Sequence, residues 1–228
     1  MSAVRRALRA LSTVLIVAGV LMLSDAALTV AWQEPVSGAY ALIVQVRLGG
    51  DLRRLELARP SGGELAALRS LGDERRRIAF LARLLRRETR RGDAVGRIRI
   101  PKIGATFVVV DGTDTASLRK GPGIYETVPF PGAPGTTAIA GHRTTYLAPF
   151  RRIDRLARGD RITLEMPYAR LTYVVETKRI VPPTELSVVK RVGFDRLVLS
   201  ACHPLYSAAK RIVVFARLAG EQPRGAAA

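Results

Sequence analysis

The sequence predicts a mainly β domain, either a small barrel or a sandwich, that follows an N-terminal membrane helix. Residues 11–30 are almost entirely apolar. From residue 94 onward, short runs rich in β-branched and aliphatic residues alternate with turn signals such as Arg158-Gly-Asp160 and Pro182-Pro183. Many short strands with few long helices are typical of a barrel or a sandwich.

The N-terminal apolar segment is long enough to cross a bilayer. Residues 11–30 match the ~20 residues that a helix needs to span the hydrocarbon core. Three arginines precede the segment, so the positive-inside bias predicts a cytoplasmic N-terminus and an extracellular remainder. Trp32 suits an interfacial anchor at the outer side. The sequence therefore predicts a single-pass membrane protein with residues 1–32 as its cytoplasmic N-terminus and anchor.

A cleaved signal peptide is the alternative for this segment. Residues 11–23 would then form its apolar core, and residues 24–26 its small-residue cleavage site. We favour the uncleaved anchor, because apolar residues continue through Val30. Both interpretations export the rest of the chain, where a single cysteine cannot form an intramolecular disulfide.

The charge balance is strongly basic. The chain has 37 Lys and Arg against 19 Asp and Glu, a net charge of +18. Such a balance is also typical of nucleic-acid binding. We exclude that class, because no recognised nucleic-acid motif is present and an exported domain rarely meets such partners. A surface that faces anionic lipid or an anionic wall polymer explains the charge more simply.

Residues 33–93 are predicted to be a partly helical linker. Residues 40–57 have weak helical character, which the Gly49-Gly50 pair is expected to interrupt. In residues 64–91, leucines fall near helical spacing among nine arginines. This second helix could lie on the membrane surface, dock on the following domain, or act as a solvated basic spacer.

Residues 94–218 contain the predicted strands. Seven or eight short strands are expected, together with one helical turn at residues 114–119 capped by Thr113 or Asp114. The clearest strands are residues 95–100, 107–110, 136–140, 161–166, 171–180, 196–201 and 211–218. Residues 219–228 are predicted to be a disordered tail.

Three residues decide the functional interpretation. Cys202 ends an apolar run, and Arg211 opens the next one nine residues later. One of only two histidines, His142, lies sixty residues upstream of the cysteine. A lone cysteine with a distant histidine is typical of a cysteine nucleophile and its base. The arginine adds a fixed positive charge for a thiolate or an oxyanion.

The surrounding motifs resemble those of the sortase family, the membrane-anchored cysteine transpeptidases of bacterial cell walls. The strand–Cys–loop–Arg–strand arrangement carries the resemblance, with Gly-His142-Arg-Thr-Thr-Tyr146 upstream of it. Three further segments are similar: Val95-Gly-Arg-Ile-Arg-Ile-Pro101, Gly121-Pro-Gly-Ile-Tyr125, and residues 150–160. The resemblance covers residues 94–218, and the segments around His142 and Cys202 look most like the class E sortases of actinobacteria.

The resemblance implies an eight-stranded β-barrel with short helices and a role for each of the three residues. Cys202 would be the nucleophile, His142 the acid and base, and Arg211 the cation that positions the substrate and stabilises the oxyanion. Tyr125 and Tyr146 would line the peptide groove, although each could equally be ordinary barrel packing. The family's strand motif, Thr-Leu-x-Thr-Cys, reads Val198-Leu-Ser-Ala201-Cys202 here, so both threonines are missing.

The implied activity is transpeptidation at a C-terminal sorting signal of the Leu-Pro-x-Thr-Gly or Leu-Ala-x-Thr-Gly type. A thioester acyl-enzyme would pass the secreted protein to a cell-wall or pilin amine, such as a peptidoglycan precursor. The lipid bilayer is the other expected partner, through the N-terminal helix. No cofactor and no metal are expected, because two histidines and one cysteine show no metal-ligand spacing.

Other interpretations remain open. His203 could compete as the base, but adjacent strand residues point to opposite faces, which favours His142. A membrane-anchored binding module on a catalytically degenerate sortase barrel is the alternative function, and the two missing threonines motivate it. An L,D-transpeptidase is less favoured, because those enzymes place a Ser-x-Gly-x-Cys turn around the thiol, and that turn is absent here.

Overall fold

A computed structural model describes residues 2–32 and 35–228 of the chain. Four helices precede the β domain: α1 Ser2–Trp32, α2 Pro35–Leu57, α3 Gly62–Ser70 and α4 Glu74–Glu88. Eight strands follow: β1 Ala94–Ile100, β2 Ala105–Asp111, β3 Gly123–Ile124, β4 Thr136–Ala140, β5 Arg161–Met166, β6 Ala169–Val181, β7 Arg196–His203 and β8 Lys210–Pro223. A short helix, α5 Thr115–Lys120, lies between β2 and β3.

The strands close into a single barrel in the order β1-β2-β3-β4-β7-β8-β6-β5. This confirms the predicted eight-stranded β-barrel. Along β5, Ile162, Leu164 and Met166 are buried while the residues between them are more exposed, so alternate side chains fill the interior. Asp114 caps α5, accepting from the N–H groups of Ala116 and Ser117, as one of the two candidate caps predicts.

Helix α4 docks on the barrel. Its buried face consists of Ile78, Ala79, Leu81, Ala82 and Leu85. Of the three interpretations of residues 64–91, the docking helix is therefore confirmed. The predicted single helix is divided in two, because α3 ends at Ser70 and Asp73 starts α4 by accepting a hydrogen bond from the N–H of Arg75 at 3.1 Å.

An ion pair at the edge of the barrel holds the C-terminal end of α4. The guanidinium of Arg86 donates to Asp111 at the end of β2 and lies over the ring of Phe130, 4.8 Å from its centroid. Burial raises the pKa of Asp111 above its usual value, and the neighbouring Arg86 opposes that rise. The pair links two elements that are far apart in sequence.

Helix α2 is continuous through Gly49 and Gly50, so the predicted interruption is wrong. Leu48 and Leu52 are buried against barrel residues at the start of β1 and in β2. Two glycines cost a helix about 2 kcal/mol relative to alanine. Burying two leucine side chains returns about 3–6 kcal/mol, which outweighs that cost. Tertiary packing therefore overrides the weak local propensity.

The C-terminal residues are ordered, which corrects the predicted disordered tail and the domain end at residue 218. Strand β8 continues to Pro223, which pairs with Ala169 of β6. A 3-10 turn, Gly225–Ala227, follows, and Ala227 is fully buried in the main core. The small polar segment after Gly220 gives no strand signal by itself. It is ordered because the long strand β6 offers it a pairing edge.

Helix α1 contains the one segment of the described residues that is long and apolar enough to cross a membrane, Val4–Ala26. Its aliphatic side chains are exposed in the folded chain. The helix begins nearer the N-terminus than the predicted residues 11–30. This single N-terminal apolar helix is typical of a single-pass membrane anchor. The predicted interfacial role of Trp32 concerns a side chain that lies outside the described residues.

Candidate active site

The pairing of β4 with β7 brings His142 and Cys202 to the same end of the barrel. The two strands run parallel, with Ala140 opposite Ser200, and the N–H of Gly141 donates to the carbonyl of Ser200 at 3.0 Å. His142 and Cys202 each lie two residues beyond that matched pair. Parallel neighbours with this register therefore end side by side, although sixty residues separate the two in sequence.

Arg211 joins them from the other neighbour of β7. In the antiparallel β7–β8 ladder, Cys202 lies directly opposite Arg211. Nη1 of Arg211 donates to the carbonyls of Ala208 at 2.8 Å and Lys210 at 3.0 Å, which fixes one side of the guanidinium. Cys202, His142 and Arg211 are all partly exposed. The barrel thus assembles the three predicted residues where a substrate can reach them.

The loop that carries His142 is held by a phenylalanine. The N–H of Phe150 donates to the carbonyl of His142 at 3.0 Å, and the Phe150 ring is fully buried. A Cβ atom at Gly141 would lie 2.6 Å from that ring. Only glycine fits before the histidine, because any side chain there would displace Phe150.

Arg143 is a buried residue at the candidate site that the sequence reasoning missed. Its side chain is 4% exposed, and Nη2 pairs with Asp154 at 2.7 Å. Nη1 lies 3.3 Å from both the carbonyl of Cys202 and Nδ1 of His203, and Nε donates to the carbonyl of Arg151 at 3.3 Å. One buried guanidinium thus ties the His142 loop to the end of β7. Its place next to His142 in the Gly-His-Arg motif was the available signal.

The contact with Arg143 also bears on the competing base. A guanidinium can only donate, so Nδ1 of His203 is the acceptor in this contact. Nδ1 of His203 is therefore engaged by a positively charged group. Lys210, opposite His203 in the ladder, is exposed. The contact of His203 with Arg143 favours His142 as the acid and base.

Tyr146 lies beside His142, with ring centroids 5.3 Å apart and the planes tilted by 40°. Tyr146, Leu147 and Ala148 all have positive φ angles, of 50°, 63° and 41°. Left-handed backbone costs about 1–2 kcal/mol for each such residue, so this loop is strained next to the site. The position of Tyr146 is compatible with the predicted groove lining.

The first turns of α2 cover Tyr146. The ring of Tyr40 packs edge-on against it at 6.4 Å, and the hydroxyl of Ser37 accepts from its N–H at 3.4 Å. The guanidinium of Arg119 in α5 lies 5.9 Å from the centre of the Tyr146 ring. These contacts from the linker were not predicted, because nothing in the pattern of residues 33–63 shows where that segment docks.

Tyr125 is placed away from the three residues. It follows β3 and its N–H donates to the carbonyl of Ala138, so it lies four residues before His142 along β4. Four residues of strand correspond to about 13 Å. Its side chain is partly buried against the main core. The structure therefore favours barrel packing for Tyr125 over the predicted groove lining.

The two departures from the family's strand motif lie away from the thiol. Val198 is fully buried within β7, four residues before Cys202, which is about 13 Å along the strand. Ala201 is adjacent to the cysteine, but its side chain points to the opposite face of the strand and is buried. Replacing these threonines by apolar residues therefore leaves the thiol side of the site intact.

Within the part of the chain that the structure describes, no group of three or more His, Cys, Asp and Glu side chains is placed to hold a metal ion. The site offers a thiol on β7, a guanidinium on β8 and an imidazole in the loop that follows β4. A thiolate is a nucleophile, an imidazole can exchange protons, and a guanidinium can stabilise an oxyanion. This set of groups is that of a cysteine acyltransferase or hydrolase built on a closed β-barrel.

Comparison with known proteins identifies the family. Residues 98–219 match the family model of the sortase domain. Sortase D of Bacillus subtilis is 33% identical over 130 residues, which cover 55% of this chain and 64% of that protein. Sortase SrtE1 of Streptomyces coelicolor is 27% identical over 150 residues, 58% of this chain and 42% of that protein. The chain thus belongs to the sortase family, and it matches less than two thirds of the length of these relatives.

Solved structures support the same family. Sortase E from Streptomyces avermitilis superposes with a TM-score of 0.54 at 32% identity, covering 59% of this chain and 93% of that one. Sortase E1 from Streptomyces coelicolor, solved with a tripeptide in its active site, gives a TM-score of 0.55 at 27% identity. That match covers 58% of this chain and 91% of the other. Both matches cover only part of this chain.

Proposed function

We propose that this chain is a cysteine transpeptidase that cleaves a C-terminal sorting signal and transfers the protein to a cell-wall or pilin amine. Sortases as a family act on proteins that carry such signals. The observation that carries the proposal is the register of β4, β7 and β8, which sets His142 and Arg211 on either side of the strand end that bears Cys202.

In the first half of the reaction, the Cys202 thiol gives its proton to His142, and the thiolate attacks the backbone carbonyl of the threonine in the signal. The electron pair of the C=O bond moves to oxygen, and the guanidinium of Arg211 stabilises the oxyanion. When the tetrahedral intermediate collapses, the C–N bond breaks and His142 gives its proton to the departing amine. The product is a thioester between Cys202 and the secreted protein.

In the second half, an incoming amine attacks the thioester. His142 takes the proton of that amine, the new amide forms, and Cys202 leaves as a thiolate. Water can replace the amine, and the result is then hydrolysis. The partial exposure of Cys202 and His142 leaves both open to a peptide and an acceptor.

The proposed signal is of the Leu-Pro-x-Thr-Gly or Leu-Ala-x-Thr-Gly type, with Tyr146 lining the groove beside His142. The proposed topology places the first turns of α1, with Arg5, Arg6 and Arg9, in the cytoplasm and the barrel outside the cell. The active site would then meet the acceptor amines on the wall side of the membrane. Secreted proteins bearing the signal are the donors.

The test uses the full chain in nanodiscs, mixed separately with a Leu-Ala-x-Thr-Gly and a Leu-Pro-x-Thr-Gly peptide. Intact-mass spectrometry measures the thioester adduct, and hydroxylamine serves as a strong acceptor that converts it to a hydroxamate. We expect the adduct on the parent chain and its loss in Cys202→Ala. In His142→Ala the hydroxamate should form much more slowly, because the leaving amine is not protonated.

A folded chain that forms no adduct with either peptide would contradict the proposal. The remaining function would then be the degenerate binding module that the missing threonines suggest. Binding of the same peptides by the parent and by Cys202→Ala, without any adduct, would identify that alternative.

A further inference from the structure

Helix α2 has two apolar faces, and the barrel covers only one of them. On its inner face Ala41, Leu48 and Leu52 are buried, and Leu48 and Leu52 pack against the barrel. On the opposite side, Leu42 is 58% exposed, Ile43 is 56% exposed and Val46 is 71% exposed. These three residues are called here the outward face of α2.

Helix α4 provides the matched comparison within the same chain. It also docks on the barrel by one apolar face, but its outer positions include Arg76, Arg83 and Arg87, which are exposed. That arrangement is expected for a helix with one side in water. The outward face of α2 breaks the rule, and a cluster of exposed aliphatic side chains indicates a surface that binds something apolar.

The position of α2 in the chain identifies the apolar medium. The candidate membrane span ends at Ala26 and α2 begins at Pro35, nine residues later. Nine residues reach at most about 32 Å even when fully extended. The outward face lies within the first twelve residues of α2, and therefore within about 18 Å of its start along the helix axis. Because α1 itself runs to Trp32, three positions before Pro35, the start of α2 stays close to the bilayer that α1 spans.

The distribution of charge along α2 also supports a membrane location. The three residues of the outward face belong to the half of α2 nearest α1, and exposed Arg47, Arg53 and Arg54 follow toward the other end, before the exposed last residue, Leu57. Aliphatic residues beside a basic flank are typical of helices that lie in the head-group region of a bilayer. The net charge of the chain, +18, adds attraction to anionic lipids.

We propose that the outward face of α2 is seated in the interface of the membrane that α1 spans, so that the barrel is held against the lipid surface. The inner face of the same helix carries the barrel. Ser37 and Tyr40, at the start of α2, contact Tyr146 beside His142. The lipid contact therefore places the catalytic end of the barrel close to the membrane plane.

The test measures the depth of single labels in the full chain. In a Cys202→Ala background, a fluorescent thiol label is placed by Leu42→Cys, by Val46→Cys and, as the matched control on α4, by Arg76→Cys. Val17→Cys, in the middle of α1, reports insertion of the anchor. Each variant is reconstituted in nanodiscs of phosphatidylglycerol and phosphatidylcholine, with and without lipids that carry a quencher on the acyl chain.

Labels at positions 42 and 46 should lose about half of their emission to the lipid quencher, because the interface lies within its contact range. The label at position 17 should also be quenched, and the label at position 76 should not. Equal quenching at positions 46 and 76 would overturn the proposal. A label at position 46 that is not quenched but still lies in an apolar environment would also overturn the proposal, because a second copy of the chain would then cover this face. Neither result depends on catalysis.

Discussion

Substitution of Arg143 tests how much the rate depends on a residue that positions the catalytic groups without reacting itself. It touches neither reacting atom, yet its guanidinium joins the loop of His142 to the carbonyl of Cys202. We expect Arg143→Met to lower kcat by about 100-fold with little change in KM, because small displacements of reacting groups cost rate at this scale. Arg143→Lys should recover part of the rate. The measurement is steady-state cleavage of a fluorogenic sorting peptide.

The control for this variant is Asp154→Asn, which keeps the shape of the partner but removes its charge. Half of the Asp154 side chain is exposed, so its effect should be smaller than that of Arg143→Met. If the rate of each variant falls only in proportion to the unfolded fraction, measured by circular dichroism, Arg143 has no role in positioning.

Val198 offers a second test at the scale of one residue. Val198→Thr restores the hydroxyl of the family's motif at a position that is fully buried. A buried hydroxyl without a hydrogen-bond partner costs about 1–3 kcal/mol, so we expect a lower Tm in micelles. The rate per folded molecule should not change, because the side chain is far from the thiol. An increase in rate would show that the lost threonine matters for catalysis.

At the scale of elements, Gln45 links α2 to the barrel through three hydrogen bonds to backbone groups. Nε2 donates to the carbonyls of Val108 at 3.1 Å and Lys120 at 2.8 Å, and Oε1 accepts from the N–H of Val108 at 2.8 Å. The side-chain amide thus acts as a pairing strand for Val108, because β3 pairs with β2 at Val110 and Asp111. A single side chain satisfies three backbone groups.

Gln45→Ala should loosen this part of β2. Leaving the N–H of Val108 without its acceptor costs about 1–3 kcal/mol, so its amide should exchange with solvent about 10-fold faster or more. Hydrogen–deuterium exchange of peptides that cover residues 105–111 measures it. Arg47→Ala, on the exposed side of the same helix, should leave the exchange unchanged. Equal effects of the two variants would contradict the role of Gln45.

The C-terminal turn provides another test of an element that the sequence left out of the domain. Ala227 is fully buried and Ala228 is exposed. Ala227→Asp should lower the free energy of unfolding by about 3 kcal/mol or more, because a carboxylate would enter the core without a partner. Ala228→Asp adds the same charge in water and should be neutral. Thermal unfolding of both variants decides whether the tail belongs to the fold.

For the whole molecule, the docked helices predict where a stable catalytic fragment begins. A fragment from Ala94 has every strand but lacks α2 and α4, which bury Leu48, Leu52 and the inner face of α4 against the barrel. We expect it to melt more than about 10 °C below a fragment from Ser37, or to aggregate. Differential scanning fluorimetry of the two fragments measures this. Equal melting temperatures would show that the helices add no stability.

The barrel and its site were predictable to different degrees. Strand patterns and motif resemblance were enough for the eight-stranded fold and for the nomination of Cys202, His142 and Arg211. Tyr125 and Tyr146 could not be distinguished, because residue type does not reveal strand register. The antiparallel β3–β4 register places Tyr125 beside Ala138, whereas the loop after β4 returns Tyr146 to His142.

The sequence by itself determined the local features of this protein: an apolar N-terminal helix, a β domain, and a cysteine, a histidine and an arginine in sortase-like motifs. Only the tertiary structure decided which distant groups meet. The continuity of α2 through Gly49 and Gly50, the ordering of residues 219–228 and the buried contacts of Arg143 all depend on long-range packing and pairing. Local propensity does not include the free energy of long-range packing and strand pairing, so the sequence pattern alone could not predict these three features.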